Sequence, residues 1–177
     1  MRQLHRAINL SAMEQVAHDL QKKAVERRGV PEDADLFGRS SFNRYYYALF
    51  LTVRSFIKEF SPDWQAGHAS VPDFLTGSVM KEIKNFRSSA MRRENTEAVA
   101  ICNKSISALS ALADIMRRAN TVRVTADYNP DIKIHMIDDG RFSLNNTEIT
   151  DAHSWAMQAR TFCQEIRRAW RLSRGIA

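Results

Sequence analysis

The sequence predicts a mainly all-α protein: an antiparallel helical bundle with a small β-hairpin inserted before the last helix. Three observations predict it. Long stretches repeat apolar residues at three- and four-residue steps, and between about residues 132 and 145 that repeat changes to two. The chain of 177 residues holds 4 prolines, 6 glycines and 44% hydrophobic residues, the balance of a helix-rich globular protein rather than a disordered one. Its length suits one domain spanning residues 1–177.

The central stretch is Gly38 to Phe60, GRSSFNRYYYALFLTVRSFIKEF. On a helix, Phe42, Tyr45, Tyr46, Leu49, Val53, Phe56, Ile57 and Phe60 share one side, which makes that side the core. Ser40, Arg44, Tyr47, Leu51 and Lys58, with Arg54 at the margin, form a second, mixed stripe. That stripe is open to a site or a subunit contact.

The other elements follow in order. After ten unassigned residues, Ser11 and Glu14 form a capping-box signature, so a helix is expected to begin there, with Met13, Val16, Ala17, Leu20 and Ala24 inward and Gly29 and Pro31 as the stop. Lys22, Lys23, Arg27 and Arg28 suit the negative end of its dipole. The acidic link PEDAD, residues 31–35, leads into the central helix, and a loop follows Ser61-Pro62. Ser70 and Asp73, with Pro72 in the first turn, predict a short helix over Val71 to Leu75. Trp64, just ahead of it, is expected to cover an edge of the core. Ser78 to Phe86 reads as another short helix, followed by a polar link, SSAMRRE. From about Asn95 to Arg118, Ala98, Val99, Ile101, Cys102, Ile106, Leu109, Leu112, Ile115 and Met116 mark the second principal helix, closed by Arg117 and Arg118.

In the hairpin, Ile132, Ile134 and Met136 alternate with polar residues, Asp139-Gly140 gives the turn, and Phe142 and Leu144 alternate beyond it. One hairpin is not stable alone, so it must lie against the helices or pair with another chain. Thr150 or Asp151 then caps the last helix, with Ala152, Trp155, Ala159, Phe162, Cys163, Ile166 and Trp170 inward. Its end carries Arg160, Arg167, Arg168, Arg171 and Arg174, which suits either a phosphate backbone or a solvated face.

Composition narrows the function classes. A net charge of +6 favours polyanionic partners such as RNA, DNA or acidic proteins. Cys102 and Cys163 fall among apolar residues and are expected to be reduced, buried and inert. The five histidines are scattered, no spacing resembles a metal site, and no cofactor is implied. The amino terminus lacks the apolar core of a signal peptide, and no run approaches the roughly 20 apolar residues of a membrane span, so a cytoplasmic protein without membrane contact is expected. The sequence contains no glycine-rich phosphate loop, no GxSxG and no HExxH, leaving the common nucleotide-hydrolase, serine-hydrolase and zinc-protease readings without support.

The stretch RSSFNRYYYALFLTVRSFI resembles the signature helix of the HEPN superfamily, in which an arginine or polar residue precedes Tyr-Tyr-Ala-x-Phe. Arg123-Val-Thr-Ala126-Asp127-Tyr128 resembles the R-x-x-A-D-Y segment expected after the next long helix. The resemblance covers Gly38 to Trp170, with the hairpin of about 132–145 as an insertion. It implies a compact helical bundle, usually a homodimer, of the kind found in toxin–antitoxin, CRISPR and antiphage defence systems. Many members are metal-independent endoribonucleases, and others bind RNA, nucleotides or proteins encoded nearby.

In catalytic members an arginine is followed, after four to six residues, by a histidine. The arginine stabilises the phosphorane charge and the histidine moves the proton. Arg44 matches the arginine, and Leu51 stands where the histidine belongs. No arginine in the chain has a histidine at that spacing. The resemblance therefore implies a degenerate ribonuclease site, with Asn43, Arg44 and Tyr47, and with them Arg160, Arg167, Arg168 and Arg171, as contacts to RNA or a nucleotide. Tyr47 and Leu51 suit equally the dry centre of a dimer contact, and Arg44 suits an interface or helix-surface arginine. An active endoribonuclease would have to recruit another histidine, for which His68 is the candidate beside Arg44; a solvated loop histidine is its plainer reading. A helical interaction module without nucleic-acid ligand is the third alternative.

Overall fold

The computed structural model describes residues 2–64, 67–138 and 140–175, and for residues 2–11 the backbone only. It is mainly helical, with a small sheet before the last helix. The helices are α1 (Arg2–Glu26), α2 (Pro31–Phe60), α3 (Val71–Phe74), α4 (Met80–Arg92), α5 (Thr96–Tyr128) and α6 (Ile149–Ser173). The strands are β1 (His135–Met136), β2 (Phe142–Leu144) and β3 (Thr147–Glu148). The chain divides into two compact units, 1–52 with 118–156 and 53–117 with 157–177.

Several element boundaries correct the sequence reading. Helix α1 begins upstream of Ser11, whose side chain lies outside the described residues, and Val16 is exposed rather than inward. The PEDAD segment is the first turn of α2: Pro31 occupies a position whose N–H would be unpaired anyway, and Glu32 and Asp33 sit at the positive end of the dipole. The two short helices after the loop form a nearly continuous run from a 3-10 turn at His68–Ser70 to Arg92, widened by a π turn over Leu75–Val79. Ser70 does not cap it; its hydroxyl donates instead to the Gly67 carbonyl at 2.7 Å. The expected polar link SSAMRRE continues α4 as far as Arg92.

Helix α5 starts as expected, with Asn95 Oδ1 accepting from the Ala98 N–H at 2.9 Å. It does not stop at Arg118 but runs on to Tyr128. By length and composition α5 is apolar enough to cross a membrane, with an 18-residue window of mean hydropathy 1.3, a property the sequence reading missed; 44% of that window is buried inside the fold.

In the first unit, Phe42, Tyr45, Tyr46 and Leu49 of α2 are buried with Ala119, Val122, Phe142, Leu144, Ile149 and Trp155. The hairpin lies against α2 of its own chain. Asp35 Oδ1 accepts from the Ile134 N–H at 2.9 Å, the Phe42 and Phe142 rings meet edge to face, and Gly38 leaves the space that Ile134 fills. The sheet has three antiparallel strands in the order β1-β2-β3. The strand the sequence reading missed, β3, follows Asn145 and Asn146, both at positive φ. Two consecutive left-handed residues make the two-residue hairpin turn that asparagine tolerates. At the other turn Asp139 lies outside the described residues, while Asp138 Oδ1 accepts from the Gly140 and Arg141 amides. Those bonds, the Gly140 one foremost, and the Arg141 guanidinium hold the Asp138 carboxyl below its usual range.

In the second unit, Val53, Phe56 and Ile57 of α2 are buried with Val71, Leu75, Ile83, Leu109, Leu112, Met116, Cys163 and Ile166. Trp64 is half-buried, its ring 5.9 Å from Phe74, as expected of a cover. Both cysteines are free and buried. Burial pushes the Cys163 thiol up to about 12 and raises Cys102 as well.

Candidate functional site

In the first unit, the two segments that carry the resemblance meet. Asn43 and Tyr47 are one helical turn apart on α2, and Arg123 and Asp127 are one turn apart on α5, so each pair presents neighbouring side chains. Asn43 Nδ2 donates to Asp127 Oδ1 at 2.5 Å. Arg123 Nε lies 2.9 Å from Asp127 Oδ2. The Tyr47 hydroxyl accepts from the Arg123 guanidinium, whose carbon lies 5.5 Å from the centre of the Tyr128 ring. Burial works against the Arg123 charge, but Asp127, Tyr47 and Tyr128 together raise its pKa. Asn43, Tyr47, Arg123 and Asp127 form a polar clamp in which the Arg123 and Asp127 charges face each other, while Asn43 Oδ1 is buried without a hydrogen-bond partner among the described residues.

Arg39, one turn before Asn43, completes it. Its guanidinium donates to the carbonyls of Thr125, Ala126, Asn129 and Ile132, with Nη2 to Ala126 at 2.7 Å and Nε to the same oxygen at 3.1 Å. Thr125 and Ala126 lie in the last turn of α5 and Asn129 and Ile132 just beyond it; the Thr125 and Asn129 carbonyls also accept from the Asn129 and Ile132 amides, and a planar five-donor cation reaches all four oxygens at once. Sequence reading missed this role. The only signal was an arginine one turn before the Asn-Arg-Tyr-Tyr-Tyr run, and its partners lie up to 93 residues away.

Arg44 is exposed and makes no hydrogen bond or ion pair with a described residue. Leu51 is half-buried on the same helix. Tyr46, beside the clamp, is fully buried, and burial pushes its hydroxyl up to about 12.

Histidines scattered in the sequence are paired in space. The His18 and His153 rings stand edge to face 5.5 Å apart, and His153 Nδ1 lies 3.0 Å from the Tyr45 hydroxyl. That hydroxyl also donates to Gln21 Oε1 at 2.7 Å. Burial, and then Glu14, push the Tyr45 pKa far upward. Among the described residues, no group of three or more His, Cys, Asp or Glu could hold a metal ion.

His68 belongs to the second unit, half-exposed in its 3-10 turn, whereas Arg44 belongs to the first. Within the second unit the structure brings Arg167, Arg168 and Arg171 of α6 to one surface cleft of about 480 Å³, with Gln164 and Leu172, opposite Glu97 and Ile101 at the start of α5. Arg160 is exposed and stands outside that lining. Arg167 is committed: Nε and Nη2 each lie 2.7 Å from a Glu59 oxygen. Arg174, likewise, pairs with Glu82 and lies over the Trp170 ring.

Comparison with protein-family models, with curated proteins and with solved structures gives no match.

Proposed function

We propose that this is a HEPN-like RNA-binding protein whose ribonuclease site is degenerate, working as a homodimer in the cytoplasm of a prokaryotic cell, in a defence or toxin–antitoxin system. The observation that carries the reading is Arg44: exposed and unpaired among the described residues, it stands beside a clamp in which Arg123 and Asp127 pair with each other. A cation with no partner among the described residues is available to a phosphate, and the side chain seven residues on, Leu51, cannot transfer a proton. Grip without cleavage is the chemistry left.

The test is a salt titration of binding to labelled RNA. Arg44→Ala is expected to weaken binding several-fold and to reduce the slope of log affinity against log salt by about one, with an unchanged thermal midpoint. Equal affinity and slope in the variant would remove Arg44 from the interface.

A protein partner is the second reading. It is favoured by Tyr128, Val124 and Ile132, apolar residues exposed near the clamp, Tyr128 to 67%.

A further inference from the structure

The cleft of the second unit has a chemistry of its own. Its charges do not cancel. Glu59 neutralises Arg167 through two short bonds, and the Phe56 ring 5.5 Å from that guanidinium fixes its plane. Arg168 and Arg171 make no hydrogen bond or ion pair with any described residue. Two free guanidiniums one turn apart on α6 therefore face the cleft beside an immobilised third. The rest of the lining is mixed: Ile101 and Leu172 are apolar, Gln164 offers an amide, and Glu97 offers a carboxylate with no partner among the described residues.

We infer that this cleft binds a nucleoside monophosphate group, with the terminal phosphate on Arg168 and Arg171. Two unpaired cations match a phosphate monoester, which carries about −1.5 to −2 at neutral pH, better than a diester's single charge. A bare phosphate would leave Ile101 and Leu172 without a use and would meet Glu97 unfavourably. A nucleoside supplies what they need: an apolar base face for the two side chains, and ribose hydroxyl or base N–H donors for Glu97 and Gln164. The volume of about 480 Å³ lies within the range of sites that hold one small ligand, roughly 300–1,000 Å³. The same group occurs free or as the phosphorylated end of an RNA chain. The inference deepens the RNA-binding reading by giving that RNA a recognised end, and it uses none of the residues around Arg44.

Calorimetric titration tests it with adenosine monophosphate, adenosine and inorganic phosphate, alongside one short RNA with a 5′-phosphate or a 5′-hydroxyl. The monophosphate is expected to bind at least about tenfold more tightly than adenosine or phosphate alone, and the Arg168→Ala/Arg171→Ala double variant should lose that preference. Both positions are exposed, and an unchanged melting curve shows that the variant is folded. Preference for the 5′-phosphorylated RNA identifies an RNA end as the source, while monophosphate binding without that preference identifies the free nucleotide. No monophosphate binding, or binding unaltered in the double variant, overturns the inference. If RNA still binds through Arg44 in that case, the proposed function stands without this site. If the monophosphate binds and no RNA does, the cleft stands and the RNA reading falls.

Discussion

Arg39 and Arg44 lie five residues apart on one helix and have opposite fates. Arg39 spends its guanidinium on two backbone carbonyls in the last turn of α5 and two just beyond it, and Arg44 pairs with none of the described residues. Sequence reasoning could find Arg44, because an exposed arginine on a mixed stripe is visible from periodicity alone. It could not find the role of Arg39, since a helix-end cap supplied from 87 residues away leaves no local pattern. Arg39→Ala is expected to lower stability by about 1–3 kcal/mol, because it removes charged-donor bonds to four carbonyls, of which those of Thr125 and Asn129 keep a main-chain donor. Arg39→Lys should recover less than half of that, one ammonium being unable to span the same oxygens. A urea midpoint that Arg39→Ala leaves unchanged would contradict the assignment. That residue 51, seven after Arg44, is a leucine and so cannot transfer a proton was legible from the sequence alone.

At the scale of elements, the stripes on α2, α5 and α6 were readable because burial repeats with the helix itself. The ends were not. Helix α5 outran its expected stop because Arg117 and Arg118, which resemble a basic terminus, point to solvent in mid-helix; Arg117 pairs with Asp114 at 3.0 Å. PEDAD looked like a linker because its acidic residues are exposed or half-exposed, apart from Asp35, which is 8% exposed and holds the chain leading into β1. The Asn145-Asn146 turn was in plain view as a hairpin signal. Glycine was informative at one place, Gly38, where an added Cβ would lie 2.8 Å from Ile134 Cδ1 and 3.2 Å from Phe142 Cε2. Gly38→Val should therefore cost about 1–3 kcal/mol and loosen the hairpin. Gly38→Ala should cost less, because the better helix former offsets about 1 kcal/mol. Greater hydrogen-exchange protection of β1 and β2 amides in Gly38→Val would show the opposite.

For the whole molecule, burial of ionisable groups sets a limit at alkaline pH. The Tyr46 hydroxyl and the Cys163 thiol are both pushed up to about 12 in the folded chain, from ordinary values of 10.0 and 9.0, and Tyr45 is raised as well. Between the unfolded and folded values, the unfolded chain releases these protons and the native chain keeps them, so the unfolded state binds fewer protons and stability falls as pH rises. Denaturant midpoints should hold steady from pH 7 to about 8.5 and then decline, more gently in Cys163→Ala because one of the linked protons is gone. A midpoint that rises above pH 9 would contradict that burial.

The central claim is that the chain grips RNA without cutting it, and one assay addresses it directly. Purified protein is incubated with labelled transfer and messenger RNA in EDTA, and shift and cleavage are read on the same samples, with Arg44→Ala alongside. The account predicts shifted, full-length RNA, with the shift weakened in the variant. Cleavage products that vanish in Arg44→Ala would contradict it, and would mean that a proton donor other than residue 51 completes an active ribonuclease.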